Sequence, residues 1–421
     1  MKIPWLMSIK WPYEDRGGCL FVEDVSSREL AANYGTPLYV YSENRMRSNY
    51  RRLKAALEKG YHRVRVLYAM KANSNLAVLK TLLEEGAEVD AVSPGEVHLA
   101  LQAGYKPEQI LFTGTSVGYE ELQYLMDKGV RMNLDSGSQL DKVLSIATPE
   151  LISVRVNPQL GAGHHEHVIT AGPEVKFGVW DAAAVDIYRR AEEAGVKRFG
   201  IHMHIGSGIH DASHHMRAAE SMLLTAKRVS EVSGVRFEFI DFGGGIGVPY
   251  RPEEDEIDIV LFADQITSYF VGRVEELGLG EPELWLEPGR FITADAGILL
   301  TRVTTLKETP VKRFVGVDAG FNTLLRPTMY GSYHHIVNSG NLEGSMQSYD
   351  VYGPLCESGD IFARDRPIQE TVEGDVLAVM TVGAYGYSMS SQYNSRPRPA
   401  EVMVNKGSAR LVRKRETFQD L

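Results

Sequence analysis

VRVLYAMKANSNLAVLKTLLEEG (64–86) decides the fold. VRVLYA (64–69) is a β-branched, apolar run, the composition of a strand buried on both faces. Leu76, Leu79 and Leu83 then repeat at helical spacing, and Gly86 is the expected C-cap. The same strand-then-helix unit recurs downstream. EVDAV (88–92), ILFTG (110–114), RMNLD (131–135) and LISVRVN (151–157) are strand-like, as are FGIHMHI (199–205), FEFIDF (237–242) and ELWLE (283–287). GEVHLALQAG (95–104), YEELQYLMDKG (119–129) and SQLDKVLSIA (138–147) are helical segments between them. Eight strands alternate with helices from 64 to 286. An open doubly wound sheet usually carries about five or six, so the count predicts a closed (β/α)8 barrel.

Beyond Glu287 the pattern changes. ILLTRVTTLKE (298–308), FVGVDAG (314–320), DVYGPLC (350–356) and VLAVMTVGA (376–384) are strand-like, with no comparable helix between them. The expected architecture is α/β: a barrel followed by a C-terminal all-β domain. In the opening segment, CLFVEDV (19–25) and LYVYS (38–42) have no barrel role and are expected to pair with that domain. The expected division is 1–43, 44–287 and 288–421.

A length of 421 residues suits two domains rather than one core. With 43% hydrophobic and 24% charged residues, the chain has the balance of a globular protein. A formal net charge of -10 argues against general affinity for nucleic acid or anionic membrane, yet permits a locally basic site. Two cysteines, Cys19 and Cys356, cannot make a disulfide framework and form no C-x-x-C pair, which points to a reducing, cytoplasmic setting. No run approaches the roughly 18 apolar residues of a membrane span.

In such barrels the active site lies at the C-terminal ends of the strands. Lys71 ends the first strand, Asp90 lies in the second and Arg155 near the end of the fifth. The sixth leads into His202-Met203-His204-Ile205-Gly206-Ser207, the seventh into Gly243-Gly244-Gly245-Ile246-Gly247, and the eighth into Glu287-Pro288-Gly289-Arg290. Each has an ordinary alternative: a solvated lysine, a flexible glycine turn, a packed core histidine, a Glu287–Arg290 ion pair. All would have to hold together at one rim. Ala69, Met70 and Ala72 give Lys71 an apolar setting that favours a nucleophilic amine. A glycine cluster after a barrel strand suits phosphate binding. A lysine nucleophile, a phosphate cradle, a ring to stack and an acid for a ring nitrogen describe a pyridoxal 5′-phosphate site. An acid at that nitrogen makes the ring a strong electron sink. This favours decarboxylation over racemisation.

YAMKAN, HMHIGS, DFGGGIG, EPGRF, GPLCESGD and GAYGYSMSSQYNSRPRPAE together resemble the fold-type III (alanine racemase-like) pyridoxal-phosphate decarboxylases, and the diaminopimelate decarboxylases among them. The resemblance runs from about 35 to 405; CESGD and the long tyrosine-rich string are its most specific parts. It implies that Lys71 carries the cofactor, His204 stacks on its ring and Glu287 meets its nitrogen. Ser207, Gly244, Gly245, Gly289, Arg290 and Tyr385 would hold the phosphate, with Asp90 and Arg155 also lining the cofactor. Arg290, Arg326 and Tyr330 would take a distal carboxylate, with Tyr385 alongside, and Glu357 the distal amine. Cys356 would be the acid that returns a proton. In this family Cys356 and Glu357 reach the neighbouring subunit's site, implying a homodimer with shared sites.

Charge chemistry supports the same substrate class. A second zwitterionic centre needs a cation and an anion at the far end of the pocket, and Arg290, Arg326 and Glu357 supply them. The expected reaction converts meso-2,6-diaminopimelate to L-lysine and carbon dioxide. The alternatives are a same-fold decarboxylase of D-ornithine, D-lysine, or a carrier-tethered or siderophore intermediate; a non-catalytic cofactor-binding protein; and a racemase. Two departures from the family pattern stand out. Gly208 replaces a frequent glutamine, and 161–179 is histidine-rich. His164, His165 and His167 sit in a Gly-rich loop and are read as solvated rather than as metal ligands.

Overall fold

The computed structural model describes residues 11–160, 170–172 and 174–421. These form two compact units, one of Asn49–Gly247 with Ile257–Phe291, the other of the described residues up to Ser48, Val248–Glu256 and everything from Ile292 on.

The first unit is a closed barrel of eight parallel strands: Val64–Ala69, Glu88–Ala91, Ile110–Phe112, Arg131–Leu134, Leu151–Arg155, Arg198–His202, Phe237–Asp241 and Glu283–Leu286. Neighbours in sequence are neighbours in the barrel, and Leu286 opposite Val66 closes the ring. Its floor is filled by Leu67, Leu111, Leu151, Phe239 and Trp285, with the last two rings stacked at 3.6 Å. Gly200 makes room for them, since a Cβ there would stand 2.0 Å from the Phe239 ring. Large side chains facing small ones close the barrel interior, leaving the opposite rim for chemistry.

Helix ends follow local chemistry. Asn75 accepts from the Ala77 N–H at the start of Leu76–Glu84, and Gly86 beyond its end has φ of 79°. Ser93 caps Pro94–Ala103 by accepting from the Glu96 N–H, and Gly104 ends it in the left-handed region. Seven of the eight strands stop one to three residues earlier than the apolar pattern predicts. The fifth ends at Arg155 and the sixth at His202, so His204 and Ser207 lie on a loop whose turns use Gly206 and Gly208 at positive φ.

Glu96 offers a pH test. Burial above all, then Asp90, pushes its carboxyl up to about 7, against the Val92 N–H and Lys71. Between the unfolded value of about 4.5 and 7, the folded state holds a proton that the unfolded state has lost. Stability from this group is therefore full at low pH and falls as pH rises through that window. Glu96→Gln should leave Tm unchanged at about pH 4, below the unfolded value, and raise it by roughly 2 °C at pH 8. Thermal melts at the two pH values check this; an equal shift at both would put the effect elsewhere.

The second unit is built on a nine-stranded sheet. Gly297–Glu308 runs antiparallel to Leu38–Ser42, Arg313–Val317 and Val376–Val379, and Leu38–Ser42 lies parallel to Ala400–Asn405. Leu38, Val40, Ile298, Leu300, Ala378, Val402 and Val404 form its core. CLFVEDV is not one strand of that sheet. Glu23 and Asp24 turn at φ of 43° and 72°, splitting it into Cys19–Val22 and Val25–Ser26 of a separate three-stranded sheet. Its Leu20, Val22 and Val25 still pack into the same core. DVYGPLC likewise leaves the sheet after Tyr352, placing Cys356 on a turn. Among the described residues no helix is long and apolar enough to cross a membrane.

Candidate active site

Lys71 sits on the short turn Met70–Ala72 that ends the first barrel strand. Its Nζ is 2.5 Å from Asp90 Oδ2, and Asp90 Oδ1 accepts from the Thr113 hydroxyl. The apolar setting expected from Ala69, Met70 and Ala72 is therefore not what the amine meets. Those neighbours are buried in the barrel, while Nζ faces a carboxylate that stabilises its ammonium form. Burial and then Glu287 push Asp90 up from the usual carboxylate range, opposed by Lys71.

His204 is neutral. Burial, then Lys71 and Arg155, hold it well below the ordinary histidine range. The Gly244 N–H donates to its Nδ1 at 3.1 Å, which leaves the ring proton on Nε2. The glycine loop thus has a second reason for its composition. A Cβ at Gly244 would meet the Glu287 carbonyl at 2.1 Å, and one at Gly243 the Met203 carbonyl at 2.4 Å. The loop packs directly onto the ends of the sixth and eighth strands, and Gly244 gives its N–H to an imidazole. His215 holds the same glycine through its next peptide, with Nε2 2.9 Å from the Gly244 carbonyl.

Arg290 donates through Nε and Nη2 to Ser207 Oγ at 3.1 and 3.0 Å, tying the eighth strand's loop to the sixth's. A Cβ at Gly289 would approach Ala72 and Ala69 at 3.0 and 3.1 Å. Arg155 is buried, reaches the His204 carbonyl and lies over the Phe177 ring at 4.5 Å. Glu287 is buried with Oε2 3.2 Å from His202 Nε2, and its Oε1 has no hydrogen-bond partner. A buried, unmet carboxylate oxygen is costly, and it fits the protonated nitrogen of a pyridine ring. Lys71, Asp90, Arg155, His204, Ser207, Gly244, Gly245, Glu287, Gly289 and Arg290 therefore all lie at the C-terminal rim of one barrel.

The second unit places the remaining candidates. Arg326 opens the short helix Arg326–Tyr330 and is buried; its Nη1 is 3.3 Å from His334 Nε2, and its guanidinium lies over the Tyr250 ring at 4.8 Å. His334 Nδ1 is 2.9 Å from the Met380 carbonyl. Tyr250 comes from 248–256, an excursion that the sequence division placed in the barrel. Cys356 and Glu357 are exposed on a turn anchored by Asp360, which accepts from the Leu355 and Phe321 N–H groups. The Cys356 N–H donates to Asn394 Oδ1. Tyr385 takes a positive φ of 57°. His164, His165 and His167 lie outside the described residues.

Sequence reasoning gave no separate role to His202, Asn133 or Asp241. Each is a polar residue inside an otherwise apolar strand run, which is the signal that marks them.

A parallel barrel with a lysine on an aspartate at one strand end and an unmet carboxylate oxygen at another defines a pyridoxal-phosphate enzyme. The family described as pyridoxal-dependent decarboxylase, pyridoxal binding domain, matches residues 44–294. A diaminopimelate decarboxylase of Methanothermobacter thermautotrophicus is 56% identical over 96% of this chain and 95% of that protein. The crystal structure of diaminopimelate decarboxylase from M. jannaschii in co-complex with L-lysine superposes with a TM-score of 0.91 at 34% identity, covering 97% of this chain and 96% of that one. The Helicobacter pylori enzyme complexed with L-lysine gives 0.86 at 34% identity, covering 93% and 97%. The chain belongs to the diaminopimelate decarboxylase family of pyridoxal-dependent decarboxylases. Its cofactor is pyridoxal 5′-phosphate.

Proposed function

We propose that this protein removes one carboxylate from meso-2,6-diaminopimelate to give L-lysine and carbon dioxide, as a step of lysine biosynthesis. The observation that carries the substrate class is Arg326. A decarboxylase of ornithine or lysine has no distal carboxylate, whereas here a second arginine is buried and braced by His334 and Tyr250. Relatives named diaminopimelate decarboxylase along nearly the whole chain support the same reading.

When bound, pyridoxal phosphate supplies an electron sink for the pair released as the carboxylate leaves. Lys71 holds the cofactor covalently, and Asp90 orients that lysine. His204 presents a neutral ring face, and Glu287 Oε1 accepts from the ring nitrogen. Ser207, the glycine loop through Gly244 and Gly245, Gly289, Arg290 and Tyr385 bind the phosphate, and Arg155 lines the cofactor. Arg290, Arg326, Tyr330 and Tyr385 hold the distal carboxylate, and Glu357 takes the distal amine. Cys356 Sγ delivers the proton that replaces carbon dioxide on the substrate carbon. The working unit is a cytoplasmic homodimer in which Cys356 and Glu357 serve the partner's barrel, a reading supported by their exposure in the single chain.

Incubating the protein with pyridoxal phosphate and meso-2,6-diaminopimelate should release lysine and carbon dioxide in equal amounts, with D-ornithine and D-lysine turned over far more slowly. Preference for either of those would replace the assignment. Arg326→Ala should raise KM about ten- to a hundredfold, the loss of one charge-assisted carboxylate contact, while cofactor affinity is unchanged. An unchanged KM, or loss of cofactor along with substrate, would remove Arg326 from that role.

A further inference from the structure

Four polar side chains meet inside the barrel just below its rim. Asn133 comes from the fourth strand, His202 from the sixth, Asp241 from the seventh, and Glu287 from the end of the eighth. All are at most 3% exposed. A ring nitrogen of His202 and one carboxylate oxygen each of Asp241 and Glu287 lie within 4.8 Å of one another.

Their protonation follows from hydrogen-bond chemistry. Asn133 Nδ2 is 3.4 Å from His202 Nδ1, and an amide nitrogen can only donate, so Nδ1 is the acceptor. The ring proton is then on Nε2, which donates to Glu287 Oε2 at 3.2 Å. The reverse orientation of the amide would set an Nε2 lone pair against the carboxylate. Asp241 Oδ1 accepts from the Gly243 N–H, and the Asp241 side chain is within hydrogen-bonding reach of Glu287. Burial, and then the charge on Glu287, push Asp241 well above the usual carboxylate range. Two carboxylates this close in a buried site do not both ionise. For Glu287, burial works upward, but His202, Lys71 and Arg155 bring it below the usual range. The proton of the pair therefore rests on Asp241 and the charge on Glu287.

We propose that His202, oriented by Asn133, is a positioning residue that occupies Glu287 Oε2 and fixes the carboxylate as an anion whose other oxygen, Oε1, is presented to the cofactor's ring nitrogen. The inference rests on the reading that Glu287 meets that nitrogen. A histidine serving only as core packing would leave the anion unaffected, so the two accounts part on one measurement.

That measurement compares two ligands on the full-length apoprotein: pyridoxal phosphate, and its analogue with the ring nitrogen replaced by C–H. The wild type should bind pyridoxal phosphate about tenfold or more tightly than the carbon analogue. His202→Leu should lose most of that preference by weakening pyridoxal phosphate alone, leaving the analogue's affinity unchanged. His202→Gln, whose amide N–H can reach Oε2, should keep it. Should His202→Leu not fold by circular dichroism, Asn133→Leu carries the test in the same direction. A preference intact in whichever of these variants folds, yet lost in Glu287→Gln, overturns the inference alone. A wild type without preference, matched by Glu287→Gln, overturns both the inference and the reading beneath it.

Discussion

Lys71→Ala protein is expected to purify without the visible cofactor absorption of the wild type, and its turnover of meso-2,6-diaminopimelate should fall by roughly 10⁴-fold or more. The amine stands at the end of the first strand on a short turn whose other side chains are packed in the barrel, so its position is fixed by neighbours that the substitution leaves alone. Asp90 complicates the alanine variant. It is fully buried, and losing the ammonium 2.5 Å away leaves its charge uncompensated, which lowers stability. Lys71→Arg separates the two effects. A guanidinium keeps the charge beside Asp90 but cannot form the covalent link, so this variant should melt close to the wild type and still be colourless and inactive. Absorption spectra after gel filtration, thermal melts and lysine release measure all three. Cofactor retained covalently by either variant would move the attachment to another lysine.

The barrel was legible because its strands are buried on both faces and therefore appear as short continuous apolar runs, separated by helices with glycine or serine at their ends. The rim was legible for the same reason. Lys71, Asp90, Arg155 and Glu287 interrupt or end such runs, and a polar residue there needs a purpose. What stayed hidden depends on partners distant in sequence. Asn133, His202 and Asp241 carry the polar-in-apolar signal, but only the pairing of adjacent strands brings them onto Glu287. The sequence division left 248–256 in the barrel, and nothing local shows that Tyr250 packs edge-on against His334 at 5.2 Å. CLFVEDV reads as one strand because its apolar content continues past Glu23 and Asp24, whose turn geometry leaves no mark in composition. The glycine loop was read as a phosphate cradle; its fit against the Glu287 and Met203 carbonyls, and the donation from Gly244 to His204, follow from backbone positions alone.

Mixing two inactive variants should restore activity. Lys71 belongs to the barrel unit and Cys356 to the other, and the proposed homodimer joins the Lys71 of one subunit to the Cys356 of its partner. Lys71→Ala and Cys356→Ala homodimers should each be nearly inactive, because every composite site lacks one of the two. A mixed dimer has one site with both residues missing and one with both intact. Random exchange makes about half the dimers mixed, each with one working site out of two, so about a quarter of wild-type activity should return for independent sites in a symmetric dimer. Exposure of Cys356 on its Asp360-anchored turn fits a side chain that completes its surroundings on another chain. The control pairs Lys71→Ala with His204→Ala. Both are barrel substitutions, so each site of a mixed dimer is built on a barrel that lacks one of the two residues, and this mixture should recover nothing. Exchange itself is followed by differently tagged subunits in co-purification. If tagged subunits exchange and the first mixture stays inactive, Cys356 serves its own chain and the shared-site dimer is wrong.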